Sequence, residues 1–229
     1  MTKPTGLHHL AISTGYMKGQ IAFFTAVLGL EVVALYCMHG APNTWHGFLK
    51  LGQDASIALV QNPTIAKTKG EIGRSHAGNP AAPSAPGTMQ HLALKVDGEA
   101  ELLAIRDRIR SRGVNVFGPI DHGFCKSIYF AGPEDLTLEV STWLGELNPT
   151  AWIDPEVVEL AGISAEELAR FTAPADYQAP VEHLPQPTAD PDRPHMNFPE
   201  AAYGKMLAMS DETYTERFSE TEPPVAVAD

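Results

Sequence analysis

The chain has 229 residues, 44% of them hydrophobic, with 16 Lys and Arg against 28 Asp and Glu for a net charge of −12. That is enough for one sizeable core or two small ones, and neither half carries the basic stripe with interleaved aromatics that nucleic-acid binding needs. No stretch approaches the roughly 18 apolar residues of a membrane span, the opening MTKPTGLHH lacks an apolar signal core, and two cysteines (Cys37 and Cys125) suggest no disulfide framework, so a soluble cytoplasmic protein is expected.

Leu7 to Ser13 alternates, with His9, Ala11 and Ser13 on one face and Leu10 and Ile12 on the other, the period of a half-buried strand. Met17 to Leu28 places Ile21, Phe24, Val27 and Leu28 on one helical stripe, and Gly29 follows as a C-terminal cap. Leu30 to Cys37, His46 to Leu51 and Ala55 to Gln61 read as three further strands. From Asn62 to Gly87 the chain is rich in Gly, Pro, Ser and Ala and too long for an ordinary connector, so it is either a lid or a disordered link.

The opening pattern then returns. Gln90 to Val96 repeats the first strand, Glu99 to Arg112 forms an amphipathic helix capped by Gly113, and strands follow near Val114 to Phe117, Cys125 to Ala131 and Leu136 to Ser141. HLAI at His9 superposes on HLAL at His91, and Ala58 falls opposite Glu139, the two separations being 49 and 48 residues. Strand parity places Leu10, Ile12, Ile57, Leu59, Leu92, Leu94, Ile128, Phe130, Leu138 and Val140 on the faces that cover the helices. His9, Ala58, His91, Tyr129 and Glu139 fall on the opposite faces. The expected architecture is α+β, with βαβββ modules at about 6–62 and 88–143, joined by loop 62–87 within a domain spanning 1–147.

Residues 148–229 differ in composition: they hold 16 of the acidic residues, only 4 basic ones, and 11 of the 19 prolines. Short helices are expected at Pro155 to Phe171, with a break near Gly162 and a fresh cap at Ser164, and at Pro199 to Met209, with an extended Pro-rich run between. Trp152, Phe171, Tyr177, Phe198 and Tyr203 suggest an arm that packs on the core or on a second copy of the chain.

The chemistry concentrates in Ile120 to Glu139. His122 opens this stretch, Tyr129 lies on an apparent strand, a turn holds Gly132 and Pro133, and Glu139 closes it within the apolar run LTLEV. A carboxylate in such surroundings must be protonated, paired or bound to a cation, because burying a bare charge is costly.

Paired strand-helix-three-strand modules, with a histidine on the first strand of each and a carboxylate on the last, resemble the vicinal oxygen chelate superfamily of glyoxalases, bleomycin-resistance proteins and dioxygenases. The resemblance covers about residues 6–143. It implies a cupped mixed sheet around one metal held by His9, His91 and Glu139, a donor set suited to Fe(II), with Mn(II), Zn(II) or Ni(II) as alternatives. Ala58 stands where glyoxalase I and methylmalonyl-CoA epimerase present a fourth ligand. The spacing of Ile120, Asp121, His122, Ile128, Tyr129, Pro133 and Glu139 is similar to the extradiol ring-cleavage signature, with Gly132 and Asp135 departing from it in the turn. The similarity implies that His122 and Tyr129 line a substrate site and that His76, 15 residues before His91, moves protons. A catechol-like diol and O2 would be the substrates and a homo-oligomer the assembly, with the C-terminal arm as one contact. The same scaffold also supports thiol transfer, isomerisation, or metal-free ligand sequestration of the bleomycin-resistance type.

Overall fold

The computed structural model describes residues 3–226. Strands β1 (His9–Ser13), β2 (Glu31–Cys37), β3 (Trp45–Lys50) and β4 (Ser56–Gln61) form one sheet in the order β1-β4-β3-β2. Strands β5 (Leu92–Lys95), β6 (Val116–Asp121), β7 (Cys125–Ala131) and β8 (Thr137–Trp143) form a second in the order β5-β8-β7-β6. In each sheet the first and last strands pair in parallel and the other pairs are antiparallel. A parallel pair needs a long crossover, supplied by helix α1 (Met17–Phe23) in the first module and α2 (Glu99–Ser111) in the second. The architecture is therefore α+β, two βαβββ modules.

The register repeats as closely as the topology. Ala11 pairs with Ala58 in the first sheet and Ala93 pairs with Glu139 in the second, so Ala58 occupies the place of the carboxylate and His9 that of His91. The outer strands β2 and β6 both carry a register shift, at Val32/Ala34 and Phe117/Ile120, which disrupts an edge otherwise open to pairing.

Helix α1 passes into a π-helical turn, Phe24–Leu28, which ends at Gly29 in the left-handed conformation. Phe24, Leu102 and Ile109 from the helices are fully buried against Ile57, Leu59, Ile128 and Leu138 from the sheets, in one apolar cluster that spans both modules. Each such side chain contributes about 1.5–3 kcal/mol by leaving water.

Two polar contacts tie the modules together. Arg108 on α2 donates to the carbonyls of Thr25, Ala26 and Val27, placing a cation at the C-terminal end of the first helical segment. Glu134, in the β7–β8 hairpin, reaches the junction of β1 and α1, where its carboxylate accepts from the Thr14 hydroxyl (2.5 Å), the Gly15 N–H (2.7 Å) and the Gln20 amide (2.7 Å). Glu134 and Asp135 both have positive φ, 55° and 62°, as a two-residue primed turn requires. Gly132, just before it, leaves room that a Cβ would take only 2.8 Å from Leu138 Cδ1.

Several boundaries differ from the expectation. Strand β5 begins at Leu92, leaving His91 immediately before it. Strand β6 extends to Asp121 because Ile120 and Asp121 pair with Ser127 and Lys126, and the His122 N–H closes the hairpin on the Cys125 carbonyl at 2.8 Å. Loop 62–87 holds a 3-10 turn at Ile65–Lys67 and a bridge between Ile72 and His76.

In the arm, the stretch from Pro155 divides, as expected, into α4 (Pro155–Leu160) and α5 (Ala165–Thr172) capped by Ser164, which also forms a reciprocal capping box with Glu167. Two helices were not expected: α3 (Pro149–Trp152), which lies before them, and α7 (Asp211–Phe218), which follows α6 (Glu200–Leu207). No described arm residue is buried. The arm touches the core at both ends: the Trp152 ring lies 4.8 Å from that of Phe124, and Glu220 pairs with His39 at 2.6 Å.

Partial burial pushes the Glu134 carboxyl up, but the bonds from Gln20, Thr14 and Gly15, aided by nearby His76, outweigh this and leave it below the ordinary carboxylate value. Glu134→Gln is expected to cost about 1 kcal/mol at neutral pH, the discounted worth of charge-assisted bonds at a partly exposed site. With the folded pKa depressed, the wild-type advantage is full above the unfolded carboxylate pKa and is lost as pH falls through the folded value. Urea unfolding of both proteins at about pH 7 and about pH 3 checks this: the gap should close in acid.

Candidate functional site

Glu139 lies in the middle of β8, between β5 and β7, and is only 5% exposed. Alternation along β8 turns Leu138 and Val140 into the apolar core and Glu139 to the other face. One carboxylate oxygen lies 2.7 Å from His91 Nε2, and the other accepts from the Ser141 hydroxyl, which in turn meets the Ser127 hydroxyl at 2.6 Å. The acid that the sequence marked as needing a partner has one.

Tyr129 pairs directly with Glu139 across the β7–β8 ladder, and its ring stands edge-on to that of His91 with centroids 6.1 Å apart. The phenol oxygen lies 3.1 Å from Nε2 of His122, which follows the end of β6 and is exposed. Burial, followed by the negative charge of Glu139, pushes the Tyr129 phenol above its ordinary value, so it stays neutral over the physiological range. His91 and Glu139 thus form one polar pair and Tyr129 and His122 a second, the two set side by side by the β7–β8 ladder.

His9 stands apart from this group. It is exposed at the start of edge strand β1, its Nδ1 lies 2.8 Å from Nδ1 of His8, and its ring packs edge-on to Phe48 at 5.6 Å. Phe48 leads on to His46, which meets the Tyr36 hydroxyl at 3.2 Å. Burial, and next the proximity of His9, holds His46 below the ordinary histidine value. Among the described residues, no three His, Cys, Asp or Glu side chains gather closely enough to hold one ion. The donor set expected from the sequence is therefore assembled only in its second-module half. The physical reason is the packing: the modules join through their helices and the Glu134 hairpin, and no ladder joins β1 to β5.

His76 also lies elsewhere. It bonds Ser75 at 2.9 Å and lines a cavity of about 560 Å³ at the module junction, together with Gln20, Lys69 and Glu134. The loop spacing that suggested it as the proton carrier leaves it beside Glu134, in a cavity that shares no lining residue with the one next to Glu139.

The model of the Glyoxalase/Bleomycin resistance protein/Dioxygenase superfamily matches residues 6–140. The chain belongs to that superfamily. Solved structures to which the chain is similar include a glyoxylase/bleomycin resistance protein/dioxygenase domain from Frankia sp. EAN1pec (14% identity, 62% of this chain and 99% of that one, TM-score 0.48). An integron cassette protein from the mobile metagenome of the Halifax Harbour Sewage Outfall is 22% identical over 61% of this chain and 99% of its own, with a TM-score of 0.45. TnmS3, an antibiotic binding protein from Streptomyces sp. CB03234, is 17% identical over 62% and 99%, also with a TM-score of 0.45. No curated protein matches the chain. No described helix is long and apolar enough to cross a membrane.

Within the superfamily domain, sequence reading missed three residues that shape the site: Ser141 on Glu139, Gln90 on His91, and Glu134 at the junction. Ser141 was accessible to the same parity argument that found Tyr129, since it lies two residues beyond Glu139 on one strand. The others depend on contacts that no periodicity encodes.

The Tyr129 environment is open to measurement. An alkaline titration followed by tyrosinate absorbance should contain one phenol titrating above the ordinary value of about 10. Tyr129→Phe should remove that component, and Glu139→Gln, which deletes the neighbouring charge, should move it down.

Proposed function

We propose that this superfamily member is a metal-dependent oxygenase of the extradiol type, opening the ring of a small catechol-like substrate with O2. The observation that carries the reading is the gathering of two polar pairs at neighbouring positions of the second sheet, His91 with Glu139 and Tyr129 with His122. The donor types suit a divalent cation of the Fe(II), Mn(II), Zn(II) or Ni(II) series, which would replace the proton that His91 and Glu139 share at 2.7 Å. When bound, ferrous iron would supply Lewis acidity toward a diol and electrons for dioxygen chemistry.

The protein residues have separable tasks. Glu139 and His91 hold the cation. Tyr129, kept neutral by its surroundings, hydrogen-bonds a substrate oxygen. The Tyr129–His122 pair offers a route by which a proton leaving a diol hydroxyl passes to solvent at the exposed imidazole.

His9 is the third donor in this reading, contributed by a second copy of the chain whose β1 edge meets the β5 edge of the first. The support is that both strands are sheet edges and His9 is exposed. Mixing and refolding His9→Ala with Glu139→Ala protein would then restore roughly a quarter of the sites, since half of random dimers carry one intact set. Two intrachain sites would restore none.

The direct test is anaerobic reconstitution of untagged protein with Fe(II), elemental analysis, and oxygen uptake with a panel of catechols. Stoichiometric metal and a yellow ring-opened product are expected. His91→Ala and Glu139→Ala should lose the metal, whereas Tyr129→Phe and His122→Ala should keep it and lose about 100-fold or more in kcat/KM. Protein that takes up no stoichiometric metal yet captures small ligands tightly would replace this reading with ligand sequestration.

A further inference from the structure

His122 meets Tyr129 from the tip of the β6–β7 hairpin, where a sheet has least support. The tip is tight: the His122 N–H bonds the Cys125 carbonyl at 2.8 Å, so that Gly123 and Phe124 make the turn. Gly123 takes φ 85°, the conformation a two-residue hairpin loop asks of its first residue, and its N–H is held by the Asp121 side chain at 2.8 Å. These local bonds fix the shape of the turn but not its tilt over the sheet.

The tilt is set from outside the hairpin. Phe124 is half-buried between two indoles, that of Trp143 at 6.0 Å and that of Trp152 at 4.8 Å, the latter edge-on. Trp152 also packs on the backbone of Gly123, where a Cβ would stand 2.8 Å from Cη2 and 3.0 Å from Cζ2 of the indole. Only a residue without a side chain admits a ring so close. The indole reaches that place by a short return of the chain. Just past β8, the Leu144 N–H bonds the Phe124 carbonyl at 2.9 Å; Asn148 then caps α3, accepting from Thr150 at 3.0 Å, and the Trp152 N–H closes its single turn on the Asn148 carbonyl at 3.2 Å. The arm therefore leaves the domain from the strand that carries Glu139 and folds straight back on the turn that carries His122.

We infer that Trp152 is a positioning residue: it clamps the Gly123–Phe124 tip and so holds the His122 imidazole 3.1 Å from the Tyr129 hydroxyl. The role rests on the oxygenase reading for its purpose, since there His122 receives the proton, but the clamp itself is a matter of packing. It gives the start of the arm a task in the site, although the arm carries none of the reacting groups. Displacing a catalytic group by about 1 Å through a change away from the chemistry costs on the order of 100-fold in rate.

The test separates positioning from simple packing. In protein with protonated His and Tyr rings in a deuterated background, assigned with His122→Gln and Tyr129→Phe, cross-relaxation between the two rings reports their contact without metal or substrate. It should be present in the wild type, persist in Trp152→Phe, which keeps an aromatic ring on the tip, and be lost in Trp152→Ala, with a circular dichroism melt showing that the variant is folded. With a catechol that the wild type opens, Trp152→Ala should lower kcat/KM by about 10- to 100-fold, and should cost little more when added to His122→Ala. A wild type without the cross-relaxation overturns the inference. So does a folded Trp152→Ala that retains it, or a loss in kcat/KM that multiplies in full with that of His122→Ala. If Trp152→Ala does not fold, Trp152→Leu, which keeps apolar bulk without the ring, is read in its place. If the wild type opens no catechol, the oxygenase reading fails while the cross-relaxation still judges the clamp.

Discussion

The domain is organised around one costly arrangement, a carboxylate placed inside a sheet. Glu139 is nearly inaccessible to water and has strands on both sides, so its charge must be answered by neighbours. His91 and Ser141 answer it at the two oxygens, Tyr129 lies beside it and is perturbed by it, and His122 is reached through Tyr129. The polar side chains on this face of the second sheet derive their arrangement from that single buried acid.

The two modules began from the same plan and diverged at that position. In the first sheet the equivalent site is Ala58, fully buried and paired with Phe48 across the β3–β4 ladder, and the surrounding side chains form an aromatic row of His9, Phe48, His46 and Tyr36. One module supplies packing and the exposed His9 imidazole, while the other supplies the acid and its partners. The hairpin that holds Glu134 joins them, satisfying a carboxylate with an N–H, a hydroxyl and an amide of the first module. A hydrogen-bonded carboxylate serves better here than an apolar contact, because it fixes direction as well as proximity.

Much of this was legible in one dimension, for identifiable reasons. Period-two alternation named the buried sides of β1, β4, β5, β7 and β8, and the repeat spacing aligned Ala58 with Glu139. His122 and Tyr129 were found because a hairpin brings residues of neighbouring strands together by local rules. His76 was less tractable, since the path of a 26-residue Gly/Pro-rich loop is decided by contacts with the folded domain and no periodicity encodes it. His9 was assigned to its strand and face, yet its relation to the second module depends on how two sheets pack.

The amino-acid sequence by itself determined the two modules, the apolar face of each sheet and the strand that carries each chemical group, because side-chain period and turn chemistry are local properties. Only the tertiary structure decided that His91 meets Glu139 through Nε2 and that Glu134 ties one module to the other. These are relations between segments far apart along the chain. They are set by the direction of individual hydrogen bonds once the common core has packed, and a linear pattern carries no record of that direction.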